Sequence, residues 1–163
     1  MAPTTGAGVV TRSADETRAF AAALGNVAQP GDRLALVGPL GAGKTQFAKG
    51  FAVGLGVAEV VNSPSFTLMA EYAGRVPLFH QDLYRLSGAE EAMAGGLVDE
   101  RQLDGVTLSE WAERLPSELD PERVTIAFEV LSDDERRITV TPSHAGQQRY
   151  VDAAAAWEAQ RGG

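Results

Sequence analysis

The amino-acid sequence predicts an α/β fold: a P-loop NTPase-like mixed β-sheet flanked by helices, with an antiparallel hairpin. Helix-like and strand-like segments alternate along the first part of the chain. A glycine-rich stretch at residues 38–45 lies between an apolar run and a segment able to form a helix. Later, two strand-like runs at residues 124–130 and 137–141 are separated by a short acidic turn. Alternation of helices with strands favours a parallel sheet, to which the late pair adds a hairpin.

Local signals define the elements of the first half. Ser13 and Glu16 have the spacing of a capping box, which satisfies free amide groups at a helix start. Pro30 and Gly31 predict a turn before an unbroken apolar run, which is typical of a parallel strand buried on both faces. The expected elements are a strand at residues 9–12, a helix over about 13–28, a strand at 34–37 and a helix over about 44–55.

The second half is predicted in the same way. Ser87 and Glu90 form a second capping-box pattern, and the helix that it opens is interrupted by Gly95 and Gly96. Residues 124–130 alternate apolar with polar side chains, as a half-buried strand does. The expected elements are strands at residues 66–72, 76–82, 106–109, 124–130 and 137–141, with a short C-terminal helix at about 152–160. We expect a single domain over residues 1–163, with a core at about 9–142.

Composition excludes several classes of protein. The 163 residues include no cysteine, which excludes disulfides, thiolate metal sites and a cysteine nucleophile. No signal-peptide pattern and no long apolar run is present, so we expect a cytoplasmic protein without a membrane span. The net charge is −8, whereas a protein that grips nucleic acid by itself normally shows a basic face. Any contact with nucleic acid is therefore expected to be indirect, through a partner protein.

One motif, G-x-x-x-x-G-K-[ST], is matched in full and points to nucleotide binding. Glycines let successive backbone amides turn inward around phosphate oxygens, and the following helix directs its positive end at the same anion. The lysine would neutralise the β- and γ-phosphates, and the threonine hydroxyl would bind Mg²⁺. The matching residues are Gly38, Pro39, Leu40, Gly41, Ala42, Gly43, Lys44 and Thr45.

Besides the motif, an acidic side chain is expected to hold the metal or orient water, and it usually follows a neighbouring strand. Asp82 and Glu110 both follow strand-like runs. An acidic residue at the end of a strand is also common where the strand simply meets solvent. The residues alone therefore leave the roles of these two carboxylates open. An Asn-Lys-x-Asp motif for guanine is absent, which favours ATP over GTP.

Three further segments carry a resemblance to a known family. They read Ser-Pro-Ser-Phe-Thr-Leu at residues 63–68, His-Gln-Asp-Leu-Tyr-Arg-Leu at 80–86 and Asp-Gly-Val-Thr-Leu-Ser-Glu-Trp at 104–111. In this order after the glycine-rich motif, they resemble the TsaE (YjeE) family over roughly residues 13–140. That family is the ATPase component of the bacterial machinery that makes N6-threonylcarbamoyladenosine in tRNA.

The resemblance implies roles for individual residues. Thr45 and Glu110 would bind Mg²⁺, and Lys44 with the backbone of residues 41–45 would hold the phosphates. Asp82 would lie beside the γ-phosphate as a catalytic or water-positioning group, so that the catalytic residues would be Asp82, Glu110 and Lys44. A switch-like loop would comprise Ser63, Pro64, Ser65, Phe66 and Thr67, where Ser65 replaces the family's usual threonine.

Several residues are weaker candidates. Trp111 would lie close to the site, although a single tryptophan is more commonly a core or interface residue. His80 is a further candidate, although a single histidine of this kind more commonly has a structural hydrogen bond. The base of the nucleotide would contact residues 13–17 and either Arg136 or Arg137.

The function that follows from the resemblance is an ATP-hydrolysing subunit that acts with TsaB- and TsaD-like proteins and uses Mg²⁺. Two alternatives remain. The same motif would serve a small-molecule kinase, which usually needs an arginine-bearing lid over the phosphates. Arg75, in a predicted turn, is the only arginine between Lys49 and Arg85 in the sequence. The motif would equally serve a nucleotide-gated binding module with negligible turnover.

Overall fold

A computed structural model describes residues 6–39, 41–61, 69–83, 100–114 and 120–161. Within these residues the chain forms seven strands and three α-helices, joined in places by 3-10 turns. In chain order the elements are β1 (Ala7–Thr11), α1 (Ala14–Asn26), β2 (Arg33–Val37), α2 (Lys44–Gly54), β3 (Met69–Tyr72), β4 (Leu78–Asp82), β5 (Val106–Glu110), β6 (Val124–Val130), β7 (Arg136–Thr141) and α3 (Gln148–Arg161).

The strands form one mixed sheet in the order β1-β7-β6-β2-β5-β4-β3. The four central strands β6, β2, β5 and β4 run parallel to one another. The outer pairs β1–β7, β7–β6 and β3–β4 are antiparallel. The predicted fold class, a mixed sheet flanked by helices with antiparallel hairpins, is therefore confirmed.

The register of the central strands brings their carboxyl ends level with one another. In β5, Glu110 is the Cα partner of Leu36 in β2 and of Asp82 in β4. In open sheets of this kind, ligands bind outside the carboxyl ends of the strands. The two candidate carboxylates thus end adjacent strands at the edge where the glycine-rich loop leaves β2.

The main core lies between the sheet and helices α1 and α2. Phe20 and Phe47 pack edge to face, and Phe47 also meets Phe128 of β6 in the same way. All three side chains are buried, so they remove a large apolar area from water. This packing fixes α2, and with it the residues at the start of that helix, against the end of β2.

Several expected boundaries differ from those observed. β4 begins at Leu78 rather than at residue 76, because Pro77 has no amide proton to donate to the ladder. At the start of α1, Ser13 accepts from the Glu16 amide at 3.1 Å, but the Glu16 carboxylate accepts from the Arg12 amide rather than from Ser13. The expected strand residues 66–68 and the helix opened by Ser87 lie outside the described residues.

The C-terminal helix is longer than the expected 152–160. A turn at Ala145–Gln147, in which His144 accepts from the Gly146 amide, leads directly into α3 at Gln148. Tyr150 and Ala154 of α3 are fully buried in the core, which therefore extends past residue 142. Among the described helices, none is both long enough and apolar enough to cross a membrane.

Candidate nucleotide-binding site

The glycine-rich loop between β2 and α2 has the backbone that its sequence predicts. Gly38, Gly41 and Gly43 have φ values of 151°, 78° and 98°, a region that L side chains rarely adopt. A Cβ at Gly38 would also lie 3.0 Å from the Phe128 carbonyl oxygen. Ala42 between them is buried, and its amide donates to Pro39 O at 3.2 Å. The loop therefore turns tightly and delivers the chain to the first residue of α2.

Lys44 begins α2, and its side chain folds back over the loop. Nζ donates to Gly38 O at 2.7 Å and lies 3.5 Å from the centroid of the Trp111 ring. The residue is only 5% exposed. Burial lowers the pKa of Lys44 below its usual value, and the carboxylates of Glu113, Glu110 and Asp82 oppose that shift. The ammonium group is thus held in partial desolvation among acidic neighbours.

Trp111 follows β5 in a strained backbone conformation. Its φ of 57° is the one positive value among the non-glycine residues described. Such a conformation is uncommon for a bulky residue and occurs most often at functional sites. Here it ends the strand and turns the chain into the 3-10 turn Ala112–Arg114, so that the indole ring faces Lys44. The structure thus brings the Trp111 ring to Lys44, at the end of the loop.

Glu110 is the last residue of β5 and is only 3% exposed. Its Oε1 accepts a hydrogen bond from Thr45 Oγ1 at 3.3 Å, and its Oε2 lies 2.7 Å from His80 Nε2. Asp82 ends β4 beside it and is partly exposed. Sequence reasoning placed Glu110 beyond its strand; the structure instead includes it in the ladder, where it pairs with β2 and β4.

These side chains line one cleft of about 410 Å³. It is bordered by the phosphate-loop residues, the start of α2 and the ends of β4 and β5. The lining residues are Gly41, Gly43, Lys44, Thr45, Gln46, Asp82, Glu110 and Trp111. The structure therefore brings together Gly41, Gly43, Lys44 and Thr45 of the predicted loop, both carboxylates and the tryptophan; Gly38 and Ala42 of the predicted set are not among the residues that line this cleft.

A smaller cleft of about 210 Å³ shares Gly41, Gly43 and Gln46 with the first. It is lined by Ser13, Ala14, Thr17, Gly41, Gly43, Gln46, Asp133, Asp134 and Arg136. Arg136 donates through Nη2 to Gly41 O at 3.1 Å, which ties the β6–β7 hairpin to the loop. Arg137 is the next residue of β7, so its side chain points to the opposite face of the sheet and pairs with Glu129 at 3.2 Å. Of the two arginines considered, only Arg136 meets the site.

Sequence reasoning missed Gln46, Asp133 and Asp134. The two aspartates were recognised only as a turn, and no local signal shows that this turn folds back beside the glycine-rich loop. Gln46 directly follows the motif, and its side-chain oxygen Oε1 accepts a hydrogen bond from Arg18 Nη1 of α1. The switch-like loop of Ser63, Pro64, Ser65, Phe66 and Thr67 lies outside the described residues.

The fold and the cleft define the class of protein: a P-loop NTPase-like α/β domain, with its candidate site at the carboxyl ends of parallel strands. Residues 11–138 match the family model for TsaE, described as threonylcarbamoyl adenosine biosynthesis protein TsaE. The chain belongs to the TsaE family.

Individual relatives agree with this assignment. The chain is 46% identical to the tRNA threonylcarbamoyladenosine biosynthesis protein TsaE of Bacillus subtilis, over 80% of this chain and 82% of that protein. It is 44% identical to the protein of the same name from Treponema pallidum, over 80% of this chain and 97% of that one. The crystal structure of Bacillus subtilis YdiB superposes with a TM-score of 0.70 and 36% identity, covering 96% of this chain and 98% of that one.

Proposed function

We propose that this protein is an ATP-binding and ATP-hydrolysing subunit of the machinery that makes N6-threonylcarbamoyladenosine in tRNA, acting in the cytoplasm with TsaB- and TsaD-like partners. The observation that carries the proposal is the convergence of Lys44, Thr45, Asp82 and Glu110 on one cleft. A cation, a hydroxyl and two carboxylates are the groups that phosphoryl chemistry requires. The family assignment supplies the pathway.

The phosphates would bind at the loop and at the start of α2. Backbone amides of residues 41–45 and the positive end of the α2 dipole would surround the anion. Lys44 would exchange its hydrogen bond with Gly38 O for bonds to phosphate oxygens. The Trp111 ring would then form one wall of the cradle and keep the lysine partly shielded from water.

The residues present fit a magnesium ion that arrives with the nucleotide. Mg²⁺ is usually held by one or two protein oxygens, with the remaining ligands supplied by phosphates and water. Thr45 Oγ1 and Glu110 Oε1 lie 3.3 Å apart and would provide those oxygens. The described residues contain no cluster of three or more histidine, cysteine or acidic side chains that would form a metal cage without a nucleotide. Bound there, the ion would neutralise charge on the β- and γ-phosphates.

Asp82 would orient the attacking water. It ends the strand next to Glu110 and lines the same cleft, but it is the more exposed of the two carboxylates. A carboxylate beside the γ-phosphate accepts a hydrogen bond from water and thereby directs a water lone pair at phosphorus. Glu110, which is buried and bonded to Thr45, is better suited to the metal.

The nucleoside would extend into the smaller cleft that adjoins the loop. Ser13, Thr17 and Arg136 line it, and it shares Gly41 and Gly43 with the phosphate cleft. A nucleotide that binds across the loop would therefore place its phosphates in one cleft and its base or ribose in the other.

Hydrolysis is expected to depend on partners. None of the described residues that line the phosphate cleft is an arginine. An arginine finger, which can be supplied by another protein, typically accelerates NTP hydrolysis by about 10³–10⁵-fold. Arg75, the arginine considered for a kinase lid, donates instead to the carbonyls of Gly25 and Ala28 at the far end of α1 from Ser13. The chain alone should therefore bind Mg-ATP and hydrolyse it slowly.

The test is a steady-state phosphate-release assay on the chain alone, with a TsaB-like partner, with a TsaD-like partner and with both. We expect acceleration when both are present. Fast hydrolysis by the isolated chain, unchanged by partners that demonstrably bind, would contradict partner activation. Phosphorylation of a small metabolite by the isolated chain would indicate a kinase instead. Nucleotide binding without turnover under every condition would indicate a nucleotide-gated binding module.

A further inference from the structure

A buried histidine contacts the carboxylate that faces Thr45. His80 lies in β4 with no exposed surface, and its Nε2 atom is 2.7 Å from Glu110 Oε2. The other oxygen of the same carboxylate accepts from Thr45 Oγ1 at 3.3 Å. The two oxygens of Glu110 are therefore held by different elements, one by the sheet and one by the first turn of α2.

The chemistry of the pair defines which atom donates. A carboxylate in the ionised form that binds a metal ion can only accept hydrogen bonds, so in that form of Glu110 the His80 Nε2 atom would donate to it. The second ring nitrogen, Nδ1, is buried and has no hydrogen-bond partner in the part of the chain that the structure describes. Buried polar atoms are normally paired. Among the described residues, Glu110 is thus the hydrogen-bond partner of this ring.

The sheet register explains why the histidine can reach this carboxylate. His80 is the Cα partner of Leu108, while Asp82 is the Cα partner of Glu110. His80 and Asp82 are two residues apart and share one face of β4, and Glu110 lies on the same side as Leu108 in β5. The Glu110 side chain therefore leans back along the sheet to His80, which leaves Oε1 directed at the start of α2.

We propose that His80 is a positioning residue for a divalent cation site: by holding Glu110 Oε2, it orients Oε1 beside Thr45 Oγ1 so that the two oxygens can bind the ion together. The inference rests on the proposed function, because the ion is the one that would accompany the nucleotide. Partners that orient a metal-binding side chain typically change metal affinity by about 10- to 100-fold when they are removed.

The test measures Mn²⁺ binding to the full chain in saturating ADP. Electron paramagnetic resonance gives the concentration of free Mn²⁺ at each step of the titration. ADP affinity without metal is measured in parallel by calorimetry. His80→Leu should weaken Mn²⁺ binding about 10- to 100-fold and leave metal-free ADP affinity unchanged. His80→Gln should stay close to the unmodified chain, because the glutamine amide nitrogen occupies nearly the place of histidine Nε2.

A second arm separates positioning from general damage. In a Glu110→Gln background, His80→Leu should cause little further loss of Mn²⁺ affinity, since the group that it orients is already altered. If His80→Leu does not fold, His80→Asn replaces it; its shorter amide falls at the position of Nδ1 and cannot reach Glu110. It should bind Mn²⁺ more weakly than His80→Gln.

The outcomes are distinguishable. Equal Mn²⁺ affinity in the unmodified chain and a folded His80→Leu variant would overturn the inference, as would equal affinity of the Gln and Asn variants. A parallel loss of metal-free ADP affinity would show a structural role and would also overturn it. Failure of the unmodified chain to bind Mn²⁺ with ADP would overturn the proposed function itself.

Discussion

At the scale of single residues, the candidate site is organised around one buried cation. Lys44 Nζ donates to Gly38 O and lies over the Trp111 ring, and three carboxylates oppose the lowering of its pKa by burial. The positive φ of Trp111 carries a backbone cost of about 1–3 kcal/mol, which surrounding contacts must offset. The ring-to-ammonium contact supplies a reason for this strain: it places an aromatic face where a desolvated cation lies.

Lys44→Ala is expected to weaken ATP binding about ten- to a hundred-fold while the fold is kept. Each charge-assisted hydrogen bond to a phosphate contributes about 1.5–3 kcal/mol, and about 1.4 kcal/mol is tenfold in affinity. The measurement is calorimetric titration with ATP. Lys49→Ala is the matched control, because Lys49 lies on the same helix outside both clefts. Unchanged ATP affinity and unchanged hydrolysis in the folded Lys44 variant would exclude the proposal that the glycine-rich loop and Lys44 hold the phosphates.

Neutral variants of Glu110 and Asp82 should affect different steps, one the affinity for Mg²⁺ and the other the rate of hydrolysis. Glu110→Gln is expected to lower Mg²⁺-dependent hydrolysis by reducing metal affinity, with a smaller effect on metal-free nucleotide binding, because its carboxylate faces Thr45. Asp82→Asn is expected to lower kcat with metal affinity kept. Phosphate release as a function of Mg²⁺ concentration gives both quantities. If Asp82→Asn alone required more Mg²⁺, the two roles would be reversed.

At the scale of elements, the close approach of α1 and α2 positions the start of α2. A Cβ on Gly50 would lie 2.2 Å from Arg18 O, and one on Gly54 would lie 2.1 Å from Ala22 O. Gly25 of α1 makes the reciprocal contact, 2.4 Å from Phe51 O. Glycines inside helices are normally unfavourable by about 1 kcal/mol each, so their presence here is explained by packing. The same contact places Thr17 of α1 and the N-cap residue Ser13 beside the loop.

Gly50→Ala is therefore expected to destabilise the protein although alanine is the better helix former. Overpacking costs about 1–3 kcal/mol, and an approach of 2.2 Å to a backbone oxygen belongs at the upper end of that range, above the gain in helix propensity of about 1 kcal/mol. Urea unfolding followed by circular dichroism measures the change. Gly8→Ala in β1 is the control, because its nearest neighbour would be Thr139 Oγ1 at 3.8 Å. A Gly50 variant as stable as the control would mean that the two helices separate without cost.

At the scale of the whole molecule, the C-terminal helix α3 packs against the start of β2. Tyr150 is fully buried, and its hydroxyl donates to Asp32, which also pairs with Arg149. Burial and the adjacent Asp32 carboxylate raise the pKa of Tyr150 far above its usual value. Trp157 of the same helix packs edge to face on Phe20 of α1. These contacts join the end of the chain to the sheet and to the helix layer.

Tyr150→Phe should make stability less sensitive to alkaline pH. Because the pKa of Tyr150 is raised on folding, its contribution is full below the unfolded value of about 10 and falls as pH rises above it, by about 1.4 kcal/mol per pH unit. At pH 7 the variant should be less stable by about 1.5–3 kcal/mol, because the lost hydrogen bond is to a charged carboxylate. Urea unfolding between pH 7 and 11 should show that the difference in unfolding free energy between the unmodified chain and the variant becomes smaller as pH rises. A difference in unfolding free energy that stays constant over that pH range would contradict the raised pKa of Tyr150.

Much of the fold follows from local patterns. The Ser13 cap, the apolar run of β2 and the alternation in β6 all predicted elements that the structure contains. The boundaries that differed depend on neighbours: Pro77 shortens β4, and burial of Tyr150 extends α3 backwards to Gln148. Hydrogen-bond geometry along one strand or helix is a local property, whereas the point at which pairing stops depends on the partner.

The sequence by itself determined the glycine-rich loop, because glycine at positions 38, 41 and 43 permits φ values that other residues resist. It also identified Asp82 and Glu110 as the acids that end strands, and it indicated the family through motif order. Only the tertiary structure decided which groups meet. The sheet register places Glu110 between Thr45 and His80, and the return of the β6–β7 hairpin brings Arg136 to Gly41 and sends Arg137 away. The physical reason is distance along the chain: these partners are up to 95 residues apart, and only packing of the whole sheet and its helices brings them into contact.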